Sequence, residues 1–172
     1  MQNQYPGYDN KFVSFRNDDK CIQAVYEQGS AMPVMFVPVP GQNDTYKLLN
    51  VFYKANRKSS DAANGTHGYW IGFSRDGKWL YVRYNKASDA MPVLVEGDGK
   101  GNYLMENRWP PGGPENIDPE SRWVSFRNED KFLRATYPKA EAMPLKLLGV
   151  DGGAVASSLG VINRMMKSFD KL

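Results

Sequence analysis

Apolar and polar residues alternate in short bursts along this chain, and the bursts come in sets. Val13 and Phe15 alternate with Ser14 and Arg16; past a polar turn, Ile22, Ala24 and Tyr26 alternate with Cys21, Gln23 and Val25. A period of two on both sides of a short turn predicts a half-buried β-hairpin. The set Phe12-Val13-Ser14-Phe15-Arg16-Asn17-Asp18-Asp19-Lys20 then returns as Trp70-Ile71-Gly72-Phe73-Ser74-Arg75-Asp76-Gly77-Lys78 and as Trp123-Val124-Ser125-Phe126-Arg127-Asn128-Glu129-Asp130-Lys131. The turns are Asn17-Asp18-Asp19, Arg75-Asp76-Gly77 and Asn128-Glu129-Asp130, and Asp-Gly in the second is a strong short-range hairpin signal. Each copy runs on to a tyrosine (Tyr26, Tyr84, Tyr137) and to an Ala-Met-Pro triplet at Ala31-Met32-Pro33, Ala90-Met91-Pro92 and Ala142-Met143-Pro144.

Further apolar runs follow each Met-Pro: Val34-Met35-Phe36-Val37, Val93-Leu94-Val95 and Leu145-Lys146-Leu147-Leu148. A fourth run closes copies one and two, Tyr46 to Phe52 and Tyr103 to Asn107. The pattern predicts an all-β chain of three repeats with about four strands each, residues 10–54, 69–109 and 122–164, followed by a tail 165–172. A repeat of roughly 55 residues is longer than helical solenoid units or propeller blades. Polar linkers, Ala55 to Gly68 and Pro110 to Ser121, read as exposed loops. The last segment carries two signals. Val155, Leu159, Ile162, Met166 and Phe169 fall at helical spacing, while Ser158 to Arg164 is the candidate for the strand that completes the third copy. Gly160 weakens a helix there, so the reading is a strand to about Arg164 and a short tail beyond it.

Three four-stranded units, each opening on aliphatic-x-Phe, with Arg next in copies one and three and Ser74 in copy two, and continuing through Lys to an apolar second strand, resemble the β-trefoil superfamily. Similar openings occur in ricin-type lectins, fascin-like proteins and arabinofuranose-binding trefoil modules. The likeness is architectural and covers nearly the whole chain, 1–172, as one domain; the Gln-x-Trp motif of ricin-type repeats is missing. It implies pseudo-three-fold symmetry and a barrel whose closure brings the termini together.

Composition narrows the classes of function. With 41% hydrophobic and 24% charged residues the chain sits near globular averages, and no apolar run approaches the roughly 20 residues of a spanning helix. Membrane insertion is therefore not expected. The net charge of +3 is spread along the chain, which gives little support to nucleic acid as a partner. Met1 to Asp9 has neither a basic nor a hydrophobic leader region, so the expected location is the cytoplasm, or outside the cell by a signal-free route. The lone Cys21 cannot form an internal disulfide, and its repeat-mates Trp79 and Phe132 suggest packing.

Nothing in the sequence assembles a catalytic set. His67 lies alone in a Gly-rich linker, Cys21 has no histidine nearby, and Asn17-Asp18-Asp19 lacks the spaced oxygens of a calcium loop. No enzymatic activity, cofactor or metal is expected. The 13% aromatic content is more suggestive, because sugars stack C–H faces on rings and offer hydroxyls to planar carboxylates, guanidinium groups and amides.

Strand parity sorts the rings. Tyr26, Tyr84 and Tyr137 share a face with Ile22, Leu80 and Leu133 and are expected to point inward, hydroxyls at the rim; Phe12, Trp70 and Trp123 fall on the outward parity, and their recurrence in every copy fits a packing role at the barrel edge. The outward positions of the second strands differ between copies: Cys21, Gln23, Val25; Trp79, Tyr81, Arg83; Phe132, Arg134, Thr136. Trp79, Tyr81 and Arg83 beside Arg75 and Asp76 would place a stacking ring, a carboxylate and guanidinium donors on one hairpin, or else form a cross-strand pair covering the barrel edge. The trefoil lectins to which this pattern is similar hold sugars with an acidic residue near the first hairpin. By position that implicates Asn17, Asp18 and Asp19, Asp76, and Asn128, Glu129 and Asp130, although such residues are also what turns require. The expected function is lectin-like binding of glycans or glycoproteins through shallow, multivalent sites, with a homodimer through the apolar tail as an open possibility. The alternatives are a protein-interaction module, such as a protease inhibitor or cytoskeletal binder using the long loops, or the receptor-binding component of a toxin.

Overall fold

A computed structural model describes residues 1–8, 11–16, 19–50, 70–73, 79–84, 86–108, 118, 120–126 and 129–148. The twelve strands among the described residues belong to a single antiparallel sheet curled into a nearly closed, barrel-like form, and no α-helix occurs among those residues. The described part of the chain is all-β.

Three hairpins carry the repeated opening: β2 (Phe12–Phe15) with β3 (Ile22–Tyr26), β6 (Trp70–Phe73) with β7 (Leu80–Tyr84), and β10 (Trp123–Phe126) with β11 (Leu133–Tyr137). Each has the same irregularity near its open end. Phe12 faces Tyr26 while Ser14 faces Gln23, so two steps on β2 match three on β3; Trp123–Tyr137 and Ser125–Arg134 repeat this, and β6–β7 shifts between Trp70 and Ile71. An extra residue in one strand flips the parity of the positions beyond it. That flip corrects one sequence-based expectation. Tyr26 and Tyr137 end half-buried rather than inside, and the Tyr26 hydroxyl donates to Gln23 Oε1 at 3.3 Å. Phe12 and Trp123, read on the outward parity with a packing role at the barrel edge, are buried like Ser14 and Ser125 on the same parity, and lie outside the central core cluster.

The hairpin tips explain their acidic residues. Lys20 and Lys131 have positive φ, 64° and 61°, a region unfavourable for a side chain with a Cβ. In the same turns Asp19 Oδ1 accepts the Cys21 N–H at 2.9 Å and Asp130 Oδ1 accepts the Phe132 N–H at 3.0 Å. Each carboxylate bonds the backbone two residues on, holding the turn in its strained geometry.

Beyond each hairpin a one-turn 3₁₀ segment (Gln28–Ser30, Ala87–Asp89, Lys139–Glu141) leads to the Met-Pro signature. The amides of Met32, Met91 and Met143 donate to the carbonyls of Val13, Ile71 and Val124 at 2.9, 3.0 and 2.9 Å. Their side chains are 2%, 1% and 0% exposed within the common core. Methionine's unbranched thioether suits such irregular interior space, and the following proline needs no partner for an N–H. The triplet thus staples the returning chain onto its own first strand.

Longer hairpins follow, β4 (Val34–Pro38) with β5 (Thr45–Asn50) and β8 (Pro92–Gly97) with β9 (Tyr103–Asn107). β5 also pairs β8, and β9 pairs β12 (Leu145–Lys146), linking successive copies. In the third copy the strand beside β12 is β1, the N-terminal pair Gln2–Asn3. The strand expected over Ser158 to Arg164, and the tail, lie outside the described residues.

Candidate functional site

The second strands of the three hairpins, β3, β7 and β11, adjoin one another. Isolated bridges join Cys21 to Tyr81, Trp79 to Arg134, and Phe132 to Gln23. The pattern is cyclic: the first outward position of each copy meets the middle outward position of another. Residues that parity assigned to three separate surfaces are therefore gathered at one junction.

Trp79 is half-buried there. The edge-to-face contact with Phe132 has ring centroids 5.2 Å apart and an 83° interplanar angle, the arrangement favoured by the quadrupoles of aromatic rings. The Arg134 guanidinium lies over the Trp79 ring, with Cζ 3.8 Å from the centroid, and Arg134 as a residue is only 9% exposed. Its Nη2 donates to Asp130 Oδ2 at 2.5 Å, so the buried charge has both a carboxylate partner and an aromatic face, as desolvated guanidinium groups require. Arg16 stands over the Phe132 ring at 5.5 Å and its Nε lies 3.6 Å from Asp19 Oδ2. Gln23 donates through Nε2 to the Asp130 carbonyl at 2.9 Å while Oε1 accepts from Tyr26. One network thus runs Tyr26, Gln23, Asp130, Arg134, Trp79, Phe132, Arg16, drawing on all three copies.

Cys21 lies 5% exposed beside this network. Burial pushes its thiol pKa up and the Asp19 charge adds to that, outweighing a Tyr81 side-chain hydrogen bond that pulls it down. The group stays a protonated thiol at neutral pH, the unreactive form. Among the described residues no three His, Cys, Asp or Glu side chains gather as a metal site would require.

Of the residues singled out in the sequence, Trp79, Tyr81, Asp19 and Asp130 stand at or beside the junction, and Glu129 is exposed at its hairpin tip. Asp19 and Asp130 are both committed to their own turns and to neighbouring arginines. Asn17, Asp18, Arg75, Asp76 and Asn128, and the side chain of Arg83, lie outside the described residues. Sequence reasoning missed Gln23, Phe132 and Arg134 as members of the cluster. Their outward parity was visible, but the meeting of three strands far apart in sequence was not.

Elsewhere the charged surface is tied between copies. Lys47 Nζ donates to the Ala87 carbonyl at 2.6 Å, and Lys139 Nζ pairs with Glu96 at 2.6 Å while standing over the Trp123 ring. Lys131 donates to the Tyr8 hydroxyl and lies over the same ring. Among the described residues no helix is long and apolar enough to cross a membrane. Comparison with models of protein families, with curated proteins and with solved structures found no match to this chain.

Proposed function

We propose that the chain is a β-trefoil with three pseudo-symmetric repeats, acting as a non-enzymatic, lectin-like protein that binds glycans or glycoproteins at the hairpin junction. The trefoil reading draws support from the threefold recurrence of the bulged hairpin, the Met N–H staple and the cyclic bridges. The sugar-binding reading is carried by one observation: Trp79, Tyr81 and Phe132 rings stand within one patch with a guanidinium, a carboxylate and an amide, supplied by all three copies. The half-buried rings would offer their uncovered edges to sugar C–H groups, with the guanidinium, carboxylate and amide, bonded to one another, holding the rings in place. Held by neighbours, these side chains lose little further entropy on binding. The patch is composite, so the stoichiometry is one glycan per chain rather than one per repeat.

A glycan array followed by titration calorimetry tests this. The parent protein binds at least one neutral or acidic glycan, and Trp79→Ala weakens that binding about tenfold or more, about 1.4 kcal/mol. No binding to any glycan by the folded parent would overturn the reading.

A further inference from the structure

The polar groups of the junction are bonded to one another, and one donor is left over. The Asp130 carboxylate is used at both oxygens: Oδ1 accepts the Phe132 N–H at 3.0 Å, and Oδ2 accepts Arg134 Nη2 at 2.5 Å. With Oδ1 held by its own turn, the carboxylate cannot close over two guanidinium nitrogens, so the two-pronged pairing of arginine with carboxylate is only half made. Arg134 Nε, beside Nη2 on the same edge of the guanidinium, is closed off from solvent and has no hydrogen-bond partner among the described residues. The residue that carries it is 9% exposed. A buried donor without an acceptor bears its full desolvation cost, and more so on a charged group. An acceptor that reaches Nε is favoured by the relief of that cost.

Asp130 decides which acceptor fits. Because Nε and Nη2 share one edge, an atom bonded to Nε lies next to Asp130 Oδ2. A second carboxylate in that place would set two anions on one guanidinium in a largely buried position, where their repulsion is weakly screened. A hydroxyl meets no such penalty. It accepts from Nε and donates its own proton to Oδ2, joining both groups without adding charge. Beside the pair, the Trp79 and Phe132 rings meet edge to face at 5.2 Å and offer apolar edges to the C–H groups that flank a sugar hydroxyl.

We infer that the junction selects uncharged sugars, and that Arg134 Nε and Asp130 Oδ2 together take one sugar hydroxyl. The inference rests on the lectin-like reading above and narrows it from glycans in general to neutral ones. The route in follows from exposure. Asp130 keeps 27% of its side chain exposed against 11% for Arg134, so the hydroxyl arrives at the carboxylate and reaches Nε as the guanidinium turns over the Trp79 ring, 3.8 Å below it. One hydrogen bond to Asp130 rather than two lets the guanidinium turn without giving up its carboxylate. A sugar's acidic group gains nothing at this pair, since a carboxylate only accepts.

Titration calorimetry of the full chain tests this with the methyl glycosides of glucose, galactose and mannose, their uronic acids and their monodeoxy forms. At least one neutral glycoside binds, no more weakly than its uronic acid, and its affinity changes by less than about twofold between about 50 and 500 mM salt. One monodeoxy form of that sugar binds about tenfold or more weakly, which identifies the hydroxyl. Arg134→Lys keeps a cation for Asp130 and lacks Nε; it weakens the neutral glycoside about tenfold and the same monodeoxy form no further than the parent's loss, so the two changes are not additive. Additive losses, tighter binding of a uronic acid with a steep fall in salt, or binding of none of these sugars would overturn the inference, while the lectin-like reading stands or falls by the glycan array. The Arg134 Nε–H resonance of the parent answers without a variant: it moves and exchanges more slowly when the neutral glycoside is bound, and an unmoved resonance contradicts the inference.

Discussion

Arg134 shows how far a single side chain's surroundings decide its role. Its guanidinium, on a residue only 9% exposed, is held by Asp130, by the Trp79 ring and by close packing. Arg134→Met keeps the volume but strands Asp130 beside a ring, and should lower stability by about 1–3 kcal/mol in urea unfolding. An exposed pair such as Lys139–Glu96 contributes about 0–1 kcal/mol, so Lys139→Met should change little. Cys21 gives a chemical check: its buried thiol should resist alkylation near pH 8 in the native protein and react readily once unfolded. The same shift has a sign in stability. The folded pKa of Cys21, like that of Tyr46, is raised, chiefly by burial. Folding therefore favours the protonated forms, and their contribution is complete below the unfolded pKa and is lost as pH climbs through the folded one. Stability should decline on the alkaline side, beginning above roughly pH 8.5 where unfolded thiols ionise.

Among the elements, the hairpins were legible and their inner geometry was not. Alternation at Val13–Phe15 and Ile22–Tyr26, repeated three times, marks strands and turns directly. Parity then failed beyond the bulge, because counting by twos presumes an unbroken ladder; Tyr26, on the strand that carries the extra residue, moved for that reason. β1 was missed because two residues carry no periodicity. Its signature was nonetheless written in the sequence, since Asn3-Gln4-Tyr5, Asn50-Val51-Phe52 and Asn107-Arg108-Trp109 share an Asn-x-aromatic pattern. In the first of these, Tyr5 packs edge-on against Phe126, with centroids 5.5 Å apart. The Met-Pro triplet was legible as packing, and its cost can be measured. Met91→Ala empties a site 1% exposed in the core and should destabilise by about 2–5 kcal/mol in denaturant unfolding.

Across the whole chain, the threefold repeat fixes where variation can collect. Positions that pack identically three times are constrained alike: Val13, Ile71 and Val124 all lie in the core, as do the three methionines. Positions where the copies differ, Cys21 and Gln23, Trp79 and Tyr81, Phe132 and Arg134, meet at one junction, so the divergence is gathered in one asymmetric patch. Sequence alone pointed to Trp79 and Tyr81 but could not bring them to Asp130 and Gln23, because that approach depends on pairing between distant strands. If the patch binds a glycan, it binds one per chain, and titration calorimetry of the parent and Trp79→Ala with a glycan selected on an array decides the matter. One site per chain is expected, weakened about tenfold or more by the substitution; three equivalent sites, or binding untouched by the loss of Trp79 in a folded variant, would contradict it.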